Sequence, residues 1–200
     1  MPKLVESIKV LNGAIRLLDL HNERLNQARQ RLFGTTDFIR LENHLQVPEN
    51  CQAGLFKCRV VYEKAVESVE WIPYKLPVIH SLRVVEAGSG LDYSLKFTDR
   101  SELARLHARR GDCDEVLILK DGELTDASFA NLVFDDGDRY WTPLNPLLKG
   151  VKRAYYLSQN RIFERRITLA DLPSFQSVHL INAMLDLGDC RVDCADIRLD

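Results

Sequence analysis

The 200-residue chain reads as an α+β protein in two lobes, a small N-terminal α/β lobe over 1–78 and a larger C-terminal lobe over 79–200. Three observations lead there. Strand-like and helix-like runs are mixed without regular β-α-β alternation, which argues against a doubly wound sheet. Apolar residues make up 46% of the chain, ample for a packed core. Pro73 and Pro77 bracket a connector between two segments that each carry both kinds of run.

Taken in order, the chain opens with a short apolar run to Leu11 and then Asn12-Gly13. That dipeptide between apolar runs predicts a hairpin, because both central residues of the turn need positive φ. Ile15-Arg16-Leu17-Leu18 is the returning strand. Asp19 is the expected cap of a helix to about Leu32, with Leu25, Ala28 and Leu32 on one face and Gly34 ending it. Thr35 or Thr36 begins a second expected helix, with Phe38, Leu41 and Leu45 on one face and Pro48 closing it. Alternation and β-branched content predict a strand pair over 55–62 and 66–72. The second lobe starts near Ser81, with a helix expected over 99–110, stopped by Gly111. Strands follow over 115–119, 123–125, 131–134 and 139–142, punctuated by turns at Asp121-Gly122 and Asp136-Gly137. A helix over 150–158 and strands over 162–167 and 178–181 complete the expectation.

Charge and composition exclude several classes. The 27 basic and 29 acidic residues give a net charge of −2, with no basic arm for nucleic acid. No stretch approaches the ~18 uninterrupted apolar residues of a membrane helix. The N-terminal residues carry no apolar leader segment. Five cysteines, without a facing pair of metal-ligand spacing, read as reduced thiols of a cytoplasmic protein rather than a metal site. Val84-Val85-Glu86-Ala87-Gly88-Ser89-Gly90 is similar to a nucleotide-binding glycine loop. Asp92 stands at the third glycine position and no helix follows, so a glycine turn between strands is the better account.

Five separated pieces fit one another better than any fits alone. They are Asp19-Leu20-His21-Asn22-Glu23-Arg24, Ser94-Leu95-Lys96-Phe97-Thr98-Asp99, Leu124-Thr125-Asp126-Ala127-Ser128-Phe129-Ala130-Asn131, Trp141-Thr142-Pro143 followed by Lys149-Gly150-Val151-Lys152-Arg153, and Ile181-Asn182-Ala183-Met184. In this order and spacing the chain resembles the class IV aminotransferases, fold-type IV pyridoxal phosphate enzymes. These include branched-chain and D-amino acid aminotransferases and 4-amino-4-deoxychorismate lyases. The resemblance implies a two-lobe D-amino acid aminotransferase-like architecture with a reduced small lobe, since the chain is N-terminally shortened against the family pattern. It also implies a pyridoxal 5'-phosphate cofactor, a small-molecule amino substrate and a homodimer.

The resemblance also implies roles. Lys96 matches the lysine whose amine forms the Schiff base and then moves the proton at the substrate carbon. Asp126 stands where the family usually has the glutamate that keeps the cofactor's ring nitrogen protonated, and it is one methylene shorter. Arg24 matches the arginine that grips the phosphate, three residues after His21, whose role is structural. Val151 and Lys152 open a helix suited to an anion, with lysine where the family often has threonine. Asn182 and Ala183 match a second phosphate loop. Both amino transfer and lyase-type elimination use these residues. The alternative is a non-catalytic protein of the same fold that binds the cofactor or a partner.

Overall fold

The computed structural model describes residues 2–199. Contacts divide them into one unit running up to Lys75 together with Leu95–Asp99, and a second made of Leu76–Ser94 and the chain from Arg100 onward.

In the first unit, strands β1 (Leu4–Leu11), β2 (Ala14–Ile15), β3 (Leu55–Tyr62) and β4 (Val66–Pro73) form an antiparallel sheet in the order β2-β1-β3-β4. Asn12 and Gly13 both take positive φ, 49° and 76°, as the hairpin reading requires. Helix α1 (Leu18–Phe33) begins sooner than expected, so the returning strand is only two residues long. Asp19 lies in the first turn rather than at the cap. The cap position is Leu17 in the left-handed region, and Gly34 ends the helix at φ 67°. Leu4, Ile8 and Val10 of β1 and Cys58, Val60 and Tyr62 of β3 pack against Leu25 and Ala28 of α1. The two-residue period of β1 puts Glu6 in the same row as those apolar residues, and Glu6 is fully buried.

The second expected helix is absent. Residues 35–40 form no helix, and a 3-10 turn covers only Leu41–Asn43. Side chains of α1 have taken over the backbone groups a helix would have paired. Asn22 Oδ1 accepts the Leu41 N–H at 2.8 Å, Asn26 bonds both N–H and carbonyl of Ile39 at 2.8 Å, and Arg29 donates to the Asp37 carbonyl at 3.0 Å. Leu41 and Leu45 are buried as their spacing implied, while Phe38 is 62% exposed.

Residues Leu95–Asp99 run antiparallel along the N-terminal part of β1. The Val5 N–H donates to the Lys96 carbonyl at 2.9 Å, and the Thr98 N–H to the Lys3 carbonyl at 2.9 Å.

The second unit holds β5 (Leu82–Glu86), α2 (Ser101–Ala108), β6 (Glu115–Lys120), β7 (Glu123–Leu124), β8 (Asn131–Asp135), β9 (Tyr140–Pro143), α3 (Val151–Ser158), β10 (Phe163–Arg165), β11 (Ser177–Ile181), β12 (Arg191–Asp193) and β13 (Ile197–Arg198). They make two sheets, β13-β5-β6-β7 and β10-β9-β8-β11-β12. Leu82, Leu117 and Leu124 from the first sheet meet Leu132, Phe134, Val178 and Leu180 from the second. On the opposite faces, Val85, Val116 and Ile118 meet Leu103 and Leu106 of α2, and Val133 and Ile181 meet Tyr156 of α3. The result is a helix-sheet-sheet-helix stack, which explains why these strands read as continuous apolar runs. The glycine turn after β5 leads to no adjacent helix, since α2 starts only at Ser101. All five cysteines are free thiols.

Candidate active site

In the first unit lie Lys96, Arg24 and His21. His21 and Arg24 are one turn apart on α1 and converge on the buried Glu6 of β1. Arg24 Nε donates to Glu6 Oε1 at 2.9 Å and Arg24 Nη2 to Glu6 Oε2, while His21 Nδ1 lies 2.5 Å from Oε2. Burial pushes the Glu6 carboxyl up. The Arg24 charge and the hydrogen bonds from His21 and Arg24 outweigh it and hold Glu6 at about 2. Burial also pushes His21 below its ordinary value, against Glu6 and helped by the charges of Arg24 and Lys96. A neutral His21 donating from Nδ1 leaves Nε2 as a lone-pair atom, and it has no hydrogen-bond partner. Lys96 sits on the strap that pairs with β1 one residue before Glu6, at Val5.

In the second unit lie Asp126, Val151, Lys152, Asn182 and Ala183. Asp126 follows β7 in a loop fixed from below by Glu115. That buried carboxylate accepts the Ser128 hydroxyl at 2.9 Å and the Ser128 N–H at 3.2 Å. Asp126 is buried, accepts the Asn131 side-chain amide at 2.6 Å, and accepts the Leu147 N–H on its other oxygen. Burial pushes its pKa up to about 7, against those two hydrogen bonds and the charge of Arg153. The same Asn131 amide donates to the Leu148 carbonyl at 2.7 Å, and Gly150 lies so close that a Cβ there would overlap Asn131 Oδ1. Asn131 thus joins the Asp126 carboxylate to the segment that opens α3.

Helix α3 starts from an extended Gly150, with no side-chain cap on its first N–H groups. Lys152, in its first turn, is buried and donates to the half-exposed Asp186, whose carboxylate also accepts the Tyr156 hydroxyl at 3.3 Å. Arg153 ties α3 to β9 through the Pro143 carbonyl at 2.8 Å and the Thr142 hydroxyl at 3.3 Å. Asn182 closes a tight turn after β11, its Oδ1 accepting the N–H groups of Met184 at 2.8 Å and Leu185 at 3.1 Å, with Ala183 inside that turn.

Sequence reasoning passed over Glu6, Asn131 as a bridge, and Asp186. Glu6 carried one available signal, an acid in a core row of a strand between Leu4 and Ile8. Asp186 carried none, because its partner Lys152 lies 34 positions away.

Residues 3–191 match the class IV amino-transferase family. A Haemophilus influenzae protein, named only as uncharacterized, is 33% identical over 186 residues, covering 92% of this chain and 98% of its own. A crystal structure from Haemophilus somnus, named as a candidate 4-amino-4-deoxychorismate lyase, is 30% identical with a TM-score of 0.88, over 94% of this chain and 98% of that one. A hypothetical aminotransferase from Mycobacterium tuberculosis in its PLP-bound form covers all of this chain with 83% of its own at TM-score 0.76, and at 19% identity it shows the fold alone. With nearly the whole length matched and every motif residue inside the match, the chain belongs to the class IV aminotransferases, a family of pyridoxal phosphate-dependent enzymes.

Proposed function

We propose that the chain works at the α-carbon of a small amino-bearing substrate through the amine of Lys96, which condenses with the aldehyde of pyridoxal phosphate. When bound, the cofactor supplies that aldehyde and a ring that accepts the electron pair left as the α-carbon loses its proton. With the substrate's amine exchanged into its place on the aldehyde, the freed Lys96 amine would hold and return that proton. Asp126 keeps a proton at the ring nitrogen, while Arg24 and the backbone of Val151, Lys152, Asn182 and Ala183 receive the phosphate.

The donor set fits such a group. Asp126 is a buried acid poised near neutrality, so it can share a proton with an aromatic nitrogen. The first turn of α3 has N–H groups that no side chain of the helix caps. The observation that carries the reading is Asn131, whose one amide holds both Asp126 and the Leu148 carbonyl just before that turn. Two features qualify the fit. The Arg24 fork already rests on Glu6, and Lys152 already rests on Asp186.

Of the two outcomes this chemistry allows, elimination of the 4-amino-4-deoxychorismate lyase type draws support from the name of the Haemophilus somnus relative and from Asn182-Ala183-Met184. Amino transfer uses the same residues. A homodimer is inferred from the family resemblance, and a cytoplasmic location from the five free cysteines. No helix among the described residues is long and apolar enough to cross a membrane.

The test is the visible spectrum of the purified protein with added pyridoxal phosphate, then borohydride reduction and peptide mapping. A yellow adduct trapped at Lys96 and lost in Lys96→Ala supports the reading. An adduct at another lysine, or none, overturns it. Release of pyruvate and 4-aminobenzoate from aminodeoxychorismate, against amino transfer from a donor panel, separates the two reactions. An adduct with neither activity favours the non-catalytic binding protein.

A further inference from the structure

The Glu6, His21 and Arg24 cluster holds a charged carboxylate with no exposure at all, inside a row of aliphatic side chains. Burying a charge is costly unless it is paired and hydrogen-bonded, so such a group persists where something depends on it. Here its two oxygens take the Nε and Nη2 donors of Arg24 and the Nδ1–H of His21. A guanidinium gripped along the Nε edge has its plane and rotamer fixed, with Nη1 on the far side of the fork. We propose that Glu6 is a positioning residue that acts through Arg24, fixing the guanidinium in the orientation that receives the cofactor's phosphate, and that it sets His21 as the Nδ1–H tautomer in doing so. This rests on the Arg24 role proposed above.

A purely structural Glu6 would affect folding and treat all ligands alike. A positioning Glu6 would affect the phosphate and spare the ring. The test therefore compares the dissociation constants of pyridoxal phosphate and of pyridoxal, which lacks the phosphate, in wild type, Glu6→Gln and Arg24→Lys. In Glu6→Gln the constant for pyridoxal phosphate should rise about tenfold, the worth of one charge-assisted hydrogen bond, while that for pyridoxal stays unchanged. Arg24→Lys should show the same pattern, and the double variant should lose little more than either single one. Equal weakening of both ligands, no change, or tighter binding of pyridoxal phosphate in Glu6→Gln would overturn the proposal. Tighter binding would mark Glu6 as a competing anion.

If Glu6→Gln does not fold, Glu6→Asp keeps the charge but cannot span all three donors and should show the same selective loss. Imidazole ¹⁵N shifts of the wild type give an independent readout. His21 should be neutral and protonated at Nδ1 at pH 7, and an Nε2–H or cationic ring would overturn the assignment. A wild type that forms no adduct at Lys96 would instead overturn the cofactor reading on which the inference stands.

Discussion

Asn131 donates its side-chain amide to Asp126 at 2.6 Å and the same nitrogen reaches the Leu148 carbonyl at 2.7 Å. One amide therefore decides where the buried acid sits relative to the start of α3. Glycine at 150 is what lets the backbone come this close, because any Cβ would overlap the amide oxygen. Gly150→Ala should cost roughly 1–3 kcal/mol by overpacking. In Asn131→Ala the same glycine change should cost far less, a non-additivity that urea unfolding of the four proteins would measure.

Asp126 links stability to pH. Its ordinary value is 3.8 and its folded value about 7, so the folded protein holds an extra proton between them. The stability this contributes is full below 3.8 and is lost as pH rises through about 7. Asp126→Asn removes the link. The stability of the wild type relative to this variant should therefore fall from pH 4 to pH 7 and stay flat above. A constant difference across that range would show Asp126 to be ionised throughout.

His179 on β11 is buried with neither ring nitrogen hydrogen-bonded, and its ring meets Tyr140 edge-on at 5.6 Å. Burial pushes it below 6.5, against Asp135 and with the help of Arg191. Its depressed value means that stability is present above 6.5 and is lost as pH falls. His179→Leu removes two unsatisfied nitrogens and the acid penalty together. Thermal unfolding should show the variant gaining on the wild type between pH 7 and pH 5. His21 titrates in the same direction, and comparison with the wild type cancels it.

The Lys152 pair makes a different prediction. Asp186→Asn takes the carboxylate from a buried ammonium, and with Asp186 half-exposed the cofactor-free protein should lose only about 1 kcal/mol. Lys152 would then turn to the phosphate, so the rise in melting temperature on adding pyridoxal phosphate should exceed that of the wild type. Lys152→Thr should give a smaller rise. Equal shifts in all three proteins would place the phosphate away from Lys152.

What could be seen in the sequence was what neighbours along the chain decide. Asn12-Gly13, Gly34 and Asp121-Gly122 marked their turns because positive φ is a local demand, and all of them take it. The residues after Gly34 misled because Leu41 and Leu45 keep helical spacing, whereas their backbone partners are Asn22, Asn26 and Arg29 of α1. Strands β12 and β13, of three and two residues, carry too little pattern to register. Among the candidate site residues, Lys96, Arg24 and Asp126 are named by the resemblance of their motifs to the family's, but what Arg24 and Asp126 lean on comes from distant parts of the chain. Glu6 reaches Arg24 across 18 positions, and Leu147 reaches Asp126 across 21.

The strap of Leu95–Asp99 belongs with the first sheet although the chain on both sides of it belongs to the second unit. A polypeptide leaving the ribosome therefore has all four strands of that sheet when Lys75 emerges, but not yet the strap that covers the open edge of β1. The Val5 N–H and the Lys3 carbonyl wait until Lys96 and Thr98 have been made. The lysine proposed to carry the chemistry is also part of the stitch along the edge of the earlier sheet. Neither unit can be cut out, shuffled by recombination or inherited as a separate module without tearing that stitch.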